Sequence, residues 1–368
     1  MSSPETGRRV VVPAYAENPL DGVASMSLQP MDFPSPADVA PGDVVVRVRA
    51  AAVGWVDLLM SSGQYQHMAP PPYTPGLECA GEVVSCTPEA QGVAVGDRVL
   101  VDAFRVGPRS LGAYQRWGGF ATWVVAPADA VIPLPAALTM DRSAALLGSY
   151  ETAYHCLVTR GRLGAGETVL ILGATGATGC AAVQVAKLLG ATVIAVGRSP
   201  AKLARLEALG ADHTVALRGA DGEARSLRDA VKSLTGGEGV DVVYDAVGGE
   251  LSLEALRCVR FGARYLIVGW AATPLVARGR GERGAPNANV LPTNLMMMKS
   301  LDVLGCPTAI STAMDPTSRA PRLAQVLAWA NEGRLSPIVS HTYPLEAFQE
   351  ALRAKWSGEV TGGCVLHP

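Results

Sequence analysis

The sequence predicts an α/β protein of two domains, one mostly β and the other a doubly wound parallel sheet, on three observations. At 368 residues the chain fits two ordinary domains better than one. Up to about residue 135, strand-like runs sit between Gly and Pro breaks; from about 168, short β-branched runs alternate with helical stretches. The first of those alternations holds a glycine-rich turn, Gly173-Ala174-Thr175-Gly176-Ala177-Thr178-Gly179.

In the first part, Val44–Arg49, Gly81–Val84 and Asp97–Val101 have the composition of strands. In the second, strands are expected at Thr168–Leu172, Thr192–Val196, His213–Leu217, Val240–Tyr244 and Ala263–Val268. The helical stretches between them are Ala177–Leu189, Pro200–Leu209, Ser226–Leu234 and Leu251–Val259. Such an alternation is how βαβ units, and hence a parallel sheet, look in sequence. From about residue 307 a helix, Arg322–Asn331, and a terminal strand, Gly363–Leu366, close the chain.

Composition excludes several classes. With 31 Lys+Arg against 33 Asp+Glu the formal net charge is −2, so there is no basic footprint for nucleic acid or an anionic membrane. An apolar fraction of 49% supplies a core. Val10-Val11-Val12 before Pro13 falls short of the roughly seven apolar residues of a secretory signal, and no run nears the roughly 18 of a membrane span. The expectation is a cytoplasmic protein acting on a small molecule. The cysteines, 79, 86, 156, 180, 258, 306 and 364, are odd in number and include no Cys-x-x-Cys, which reads as buried small hydrophobes, not a disulfide or zinc framework. No two histidines have ligand spacing, and no metal site is expected. The Arg/Gly-rich segment 276–289 is read as a surface loop.

The glycine turn carries the chemistry. It follows the strand Val169–Leu172 and opens a helix with Ala181, Val185 and Leu188. Gly173 permits a tight turn, Gly176 lets backbone approach a pyrophosphate, and Gly179 lets the helix pack close on the strand. The helix N-terminus presents free N–H groups to the anion. This is a Rossmann-type dinucleotide site. The next strand ends in Val196-Gly197-Arg198-Ser199-Pro200-Ala201-Lys202, with no carboxylate for a ribose 2′-OH. Arg198, Ser199 and Lys202 suit a 2′-phosphate instead, so the expected cofactor is NADP(H).

At this point the chain resembles the zinc-free quinone oxidoreductase branch of the medium-chain dehydrogenase/reductase superfamily, nearly end to end. The matching pieces are Trp55-Val56-Asp57, Ser62-Gly63-Gln64-Tyr65, Pro75-Gly76-Leu77-Glu78-Cys79-Ala80-Gly81-Glu82-Val83 and Val95-Gly96-Asp97-Arg98-Val99. They continue in Gly118-Gly119-Phe120-Ala121, Thr152-Ala153-Tyr154, Leu189-Gly190-Ala191 and Val242-Val243-Tyr244-Asp245-Ala246-Val247-Gly248. The positions matching a zinc-binding Cys and His are Gly54 and Leu77. The resemblance implies a GroES-like, mostly-β catalytic domain (1–136 and 308–368) and a Rossmann domain (137–307), with the active site in the cleft and a homodimer joined near 296–305. It places Thr152, Val247, Val268, Gly269, Cys306 and Thr308 along the nicotinamide, and Trp55 and Tyr65 on the cleft wall. Tyr65 is the expected proton donor or carbonyl partner, its phenol being a feasible donor at neutral pH. Trp55 either stacks on a flat substrate or packs in the core, and Asp57 is read as a structural hydrogen-bond anchor.

Three departures stand out: Gly54 replaces a polar Asn, Leu217 replaces a Tyr over the 2′-phosphate, and Gly362-Gly363 removes a Lys. Glu151, beside Thr152, is read as surface-exposed or ion-paired. The implied chemistry is hydride transfer to a quinone or to the activated C=C of an α,β-unsaturated carbonyl. An enoyl-thioester reductase is the alternative, needing a basic patch from Arg105, Arg109 and Arg116 or from the 278–283 loop. A non-catalytic NADPH-binding protein is the alternative of another class. Short-chain dehydrogenase chemistry is disfavoured, because no Tyr-x-x-x-Lys occurs.

Overall fold

The structure, a computed structural model, describes residues 6–219, 223–272 and 289–368, so nearly all of the Arg/Gly segment lies outside the described residues. These divide into two units. The first holds the residues up to Gly148 and those from Ser336 onward; the second holds the described residues from Ser149 to Leu335. The return to the first unit therefore comes at 336, whereas the expected boundary is 308. Helices Thr308–Met314 and Arg319–Asn331 stay with the second unit because Arg319 and Arg322 end on Glu151.

The first unit is built on β-branched runs. Its strands are β1 (Gly7–Val11), β2 (Ser27–Met31), β3 (Asp43–Ala52), β4 (Glu78–Cys86), β5 (Arg98–Val101), β6 (Trp123–Pro127) and β7 (Val131–Pro133). In the second unit follow β8 (Thr168–Leu172), β9 (Thr192–Gly197), β10 (His213–Ala216), β11 (Val240–Asp245), β12 (Val259–Ile267) and β13 (Asp302–Gly305). The chain then returns to the first unit with β14 (Val339–Pro344) and β15 (Gly363–His367). The first unit's larger sheet runs β14-β15-β3-β4-β5-β7, with β6 also on β3. Val46, Leu58, Phe120 and Val124 are fully buried in its core. Helix Trp55–Ser61, which the mostly-β reading passed over, follows β3 directly.

The second unit is a six-stranded parallel sheet in the order β10-β9-β8-β11-β12-β13. Strand β8 lies where it was expected, β9, β10 and β11 differ by a residue, β13 was not foreseen, and β12 departs most. That strand begins at Val259, inside the expected helix Leu251–Val259, while the helix itself ends at Ala255. Arg260, Phe261 and Gly262 carry no apolar alternation, and the pairing with β11 breaks register between Val240 and Val242, so the pattern hides the strand. All seven cysteines are free; Cys86 is half-buried and the others are buried. Among the described residues no helix is long and apolar enough to cross a membrane.

Candidate active site

In the second unit the chain winds outward from β8 through β9 to β10, then reverses to β11 and onward, so the topological switch falls between β8 and β11. A dinucleotide binds in such folds outside the carboxyl ends of the strands, at that reversal. The glycine turn sits there. Gly173 adopts φ +70, and a Cβ on it would meet Val247 Cγ2 at 2.8 Å. A Cβ on Gly179 would lie 2.4 Å from the Gly173 carbonyl oxygen and 2.6 Å from Ala174 Cα, so only glycine lets the helix Ala177–Leu188 close on the turn. A Cβ on Gly176 would meet nothing nearer than 3.4 Å, which leaves room for backbone and ligand to approach.

The turn is tied to the neighbouring strand. Ala174 N–H donates to the Val196 carbonyl at 3.0 Å, and a Cβ on Gly197 would reach Thr175 Cγ2 at 3.2 Å. Arg198 and Ser199 thus follow directly beyond the turn. Arg198 is exposed and makes no ion pair among the described residues. Ser199 is the N-cap of Pro200–Glu207, yet its hydroxyl makes no capping hydrogen bond. Lys202 lies one turn further on. Leu217 N–H donates to the Gly197 carbonyl at 2.9 Å, and its side chain packs on the core. These residues fit a dinucleotide: a glycine cradle, a helix N-terminus and the exposed cation Arg198.

The same edge of the sheet gathers the other expected residues. Val268 N–H donates to the Asp245 carbonyl at 2.9 Å, Gly269 N–H to the same oxygen at 3.2 Å, and Cys306 N–H to Ile267 at 3.0 Å. Thr308 N–H donates to the Cys306 carbonyl at 2.9 Å, while its buried hydroxyl has no partner among the described residues. Asp245, whose role the sequence reading missed, organises this edge. One carboxylate oxygen accepts Val247 N–H and Gly248 N–H, both at 2.9 Å; the other accepts Tyr265 OH at 2.7 Å and the Ser252 hydroxyl. A carboxylate ending a strand in Val242-Val243-Tyr244-Asp245 was the available signal.

Glu151 is not on the surface. It is 2% exposed and accepts from Arg319 Nε at 2.9 Å, Arg319 Nη2 at 2.7 Å and Arg322 Nε at 3.1 Å. Arg322 Nη2 donates to Thr312 Oγ1 at 2.7 Å, and Thr312 Oγ1 to the Thr308 carbonyl at 2.9 Å. A chain of polar contacts therefore joins the helix that bears Thr152 to the backbone of Thr308. Burial, with the charges of Arg322 and Arg160, drops the nearby His155 to about 4.

In the first unit Asp57 is the anchor it was read to be. Its carboxylate accepts Gly54 N–H at 2.8 Å and Gly76 N–H at 3.0 Å, joining the start of helix Trp55–Ser61 to the turn before β4. Burial pushes Asp57 up to about 6, against those N–H groups and the charge of Arg109. Trp55 stacks on Trp356 with ring centroids 5.2 Å apart, so one of its faces is already occupied. Tyr65 is half-buried against the core, its ring edge-on to His67 at 6.2 Å, and its hydroxyl has no hydrogen-bond partner among the described residues. Gly54 and the buried Leu77 offer no metal ligand, and among the described residues no group of three His, Cys, Asp or Glu is placed to hold a metal. The residues do not fit zinc.

Two family models match the chain: "Alcohol dehydrogenase GroES-like domain" over residues 40–136 and "Zinc-binding dehydrogenase" over residues 177–318. A quinone oxidoreductase-like protein 2 of Bos taurus is 31% identical over 90% of this chain and 87% of its own length. A spectinabilin polyketide synthase system protein of Streptomyces orinoci is 33% identical over 90% of this chain, which spans 13% of that protein. Among solved structures, a probable oxidoreductase from Mycobacterium abscessus matches with TM-score 0.77, 30% identity and full coverage of both chains.

Proposed function

The chain belongs to the zinc-independent quinone oxidoreductase branch of the medium-chain dehydrogenase/reductase superfamily and is an NAD(P)H-using oxidoreductase, and from that premise we propose that it uses NADPH to reduce a quinone or an α,β-unsaturated carbonyl. The observation that carries the cofactor choice is the end of β9. An exposed Arg198 without an ion pair among the described residues and a Ser199 hydroxyl that makes no capping hydrogen bond stand beside the glycine cradle, and the sequence has no carboxylate at that corner.

When bound, a reduced nicotinamide supplies a hydride. The free N–H groups at the start of helix Ala177–Leu188 hold the pyrophosphate, and Arg198, Ser199 and Lys202 hold the 2′-phosphate. Thr152, Val247, Val268, Gly269, Cys306 and Thr308 line the nicotinamide half, the Thr308 hydroxyl being ready to bond its amide. Tyr65 delivers the proton that completes the reduction, and Trp55 offers its uncovered face to the substrate.

The polyketide synthase relative favours a second reading, reduction of an enoyl thioester. That reading asks for clustered free cations. Arg105 is paired with Asp129 at 2.6 Å and Arg116 with Asp38 at 2.7 Å, and the 278–283 loop lies outside the described residues. Only Arg109 of the three is left, which weighs against it. The dimer proposal draws support from β13, the edge strand of its sheet, and from Met297 and Met298, 74% and 58% exposed on the preceding helix.

The test follows NADPH and NADH oxidation at 340 nm with a para-quinone, an ortho-quinone, an enone and crotonyl-CoA. NADPH-dependent turnover of the quinones or the enone is the expected result. Turnover of crotonyl-CoA alone selects the thioester reading, NADH preference overturns the cofactor assignment, and cofactor binding without oxidation selects a non-catalytic protein.

A further inference from the structure

Cys156 and Cys306, two of the buried cysteines, meet in the second unit. Cys156 is fully buried in the π-helical turn His155–Arg160, which continues the helix that bears Thr152. Cys306 is 4% exposed and follows directly on β13, between the exposed residues Gly305 and Pro307. The two thiols are in side-chain contact. Arg160, at the end of the same turn and itself exposed, completes the cluster. Its Nε donates to the Gly305 carbonyl at 3.0 Å, which brings the guanidinium to the Cys306 sulfur. Thr308 Oγ1 and Tyr244 OH, buried and without a partner among the described residues, border the same sulfurs.

A thiol reacts through its thiolate, and its surroundings decide whether it ionises. Burial pushes Cys79 and Cys258 up to about 12 and Cys364 up to about 11, and it raises Cys86 and Cys156 as well. Cys306 goes the other way. The Cys156 thiol donating to its sulfur and the charge and N–H groups of Arg160 outweigh its burial and hold it below its ordinary value. The sulfur most ready to attack therefore has a second thiol in contact, the arrangement that converts a sulfenic acid into a disulfide. The backbone has room to adjust, because β13 is an edge strand and a Cβ on Gly305 would meet nothing within 4 Å.

We infer that Cys306 and Cys156 form a modification site, an oxidisable pair whose reagent is a hydroperoxide and whose product is an intramolecular disulfide. The Cys306 thiolate attacks a peroxide oxygen, the O–O bond breaks, and the leaving alkoxide or hydroxide takes up the proton that Cys306 gave up. The oxygen left on the sulfenic acid finds hydroxyl partners in Thr308 and Tyr244. The Cys156 thiol then attacks the sulfenic sulfur, the S–O bond breaks, and hydroxide leaves with the Cys156 proton as water. Two thiols have lost two electrons and two protons, and the hydroperoxide has become an alcohol and water. The disulfide ties the helix of Thr152 to the end of β13. Both lie along the proposed nicotinamide half, so the oxidised form loses NADPH. This gating rests on the proposed cofactor site; the disulfide does not.

The test treats the protein with hydrogen peroxide, alkylates it in denaturant and maps its peptides by mass spectrometry, before and after dithiothreitol. The expected result is a Cys156–Cys306 cross-link, formed with loss of two of the seven free thiols and reversed by dithiothreitol. In Cys156→Ala the reaction should stop at a Cys306 sulfenic acid that dimedone traps, and in Cys306→Ala Cys156 should stay reduced. Wild-type protein that keeps both thiols while the half-buried Cys86 is oxidised overturns the inference with no variant needed. Equal oxidation of Cys156 in Cys306→Ala overturns it too. Fluorescence titration with NADPH reads the gating, and binding by the reduced form but not by the cross-linked one is expected. Equal binding by both overturns the gating and leaves the disulfide standing; binding by neither overturns the proposed cofactor and leaves the disulfide standing.

Discussion

Glu151→Gln tests whether the second unit is held by the charge balance around one buried carboxylate. Glu151 and Arg322 are each 2% exposed and Arg319 is 8% exposed, so little water reaches the three charges. The carboxylate accepts three charge-assisted hydrogen bonds, two from Arg319 and one from Arg322. Glutamine keeps the shape, but it turns one acceptor into an NH₂ facing guanidinium donors and leaves two buried cations together. Breaking a buried pair by removing one partner costs about 3–5 kcal/mol, because the remaining charge is stranded. At roughly 2–4 °C per kcal/mol for a domain of this size, the melting temperature should fall by about 6–20 °C. Arg319→Met is the opposite perturbation. It removes both Arg319 hydrogen bonds to Glu151 but leaves a one-to-one Glu151–Arg322 pair, and its cost should be less than half that of Glu151→Gln. Thermal and urea unfolding of both variants by circular dichroism make the comparison. The reasoning is refuted if Glu151→Gln lies within about 1 kcal/mol of wild type, or if Arg319→Met proves the more damaging.

Arg198→Ala should raise KM for NADPH by about tenfold to a hundredfold, the value of a charge-assisted hydrogen bond, and leave KM for NADH unchanged; equal effects on both would remove the 2′-phosphate role. Gly179→Ala puts a methyl 2.4 Å from the Gly173 carbonyl oxygen, so NADPH binding, followed by fluorescence titration, should be lost or weakened by orders of magnitude while the first unit stays folded. Tyr65→Phe should lower kcat at least about tenfold with little change in NADPH affinity, and an unchanged kcat would end its role as proton donor. Asp57 has a folded value of about 6 against 3.8 for the ordinary carboxyl, so the folded state holds its proton more tightly. Its contribution is therefore complete below about pH 4 and is lost as pH rises through 6, a change of about 3 kcal/mol; a wild-type stability curve from pH 4 to 7 parallel to that of Asp57→Asn would disprove it.

The parts legible in the sequence are those whose causes are local. β8, the glycine turn and the helix after it are consecutive, and each states its requirement within a few residues: β-branched side chains, Gly179 for close packing, small residues behind it. Asp57 was read as an anchor from the family resemblance, and its partner Gly54 lies only three residues away. What was hidden depends on distant partners. Glu151 finds Arg319 and Arg322 across separations of 168 and 171 residues, and nothing near Glu151 announces that it is buried. Those same contacts draw the helices from 308 to 331 into the second unit, so the later return to the first unit and the burial of the ion-paired Glu151 have one cause. The three arginines of the 102–117 loop make the case most sharply. In sequence they are equivalent cations and read together as a basic patch. Folding brings Asp129 to Arg105 and Asp38 to Arg116, and lays Arg109 over the Phe104 ring. Three cations that one stretch of sequence presents as equals are thus divided by partners that lie 24 and 78 residues away.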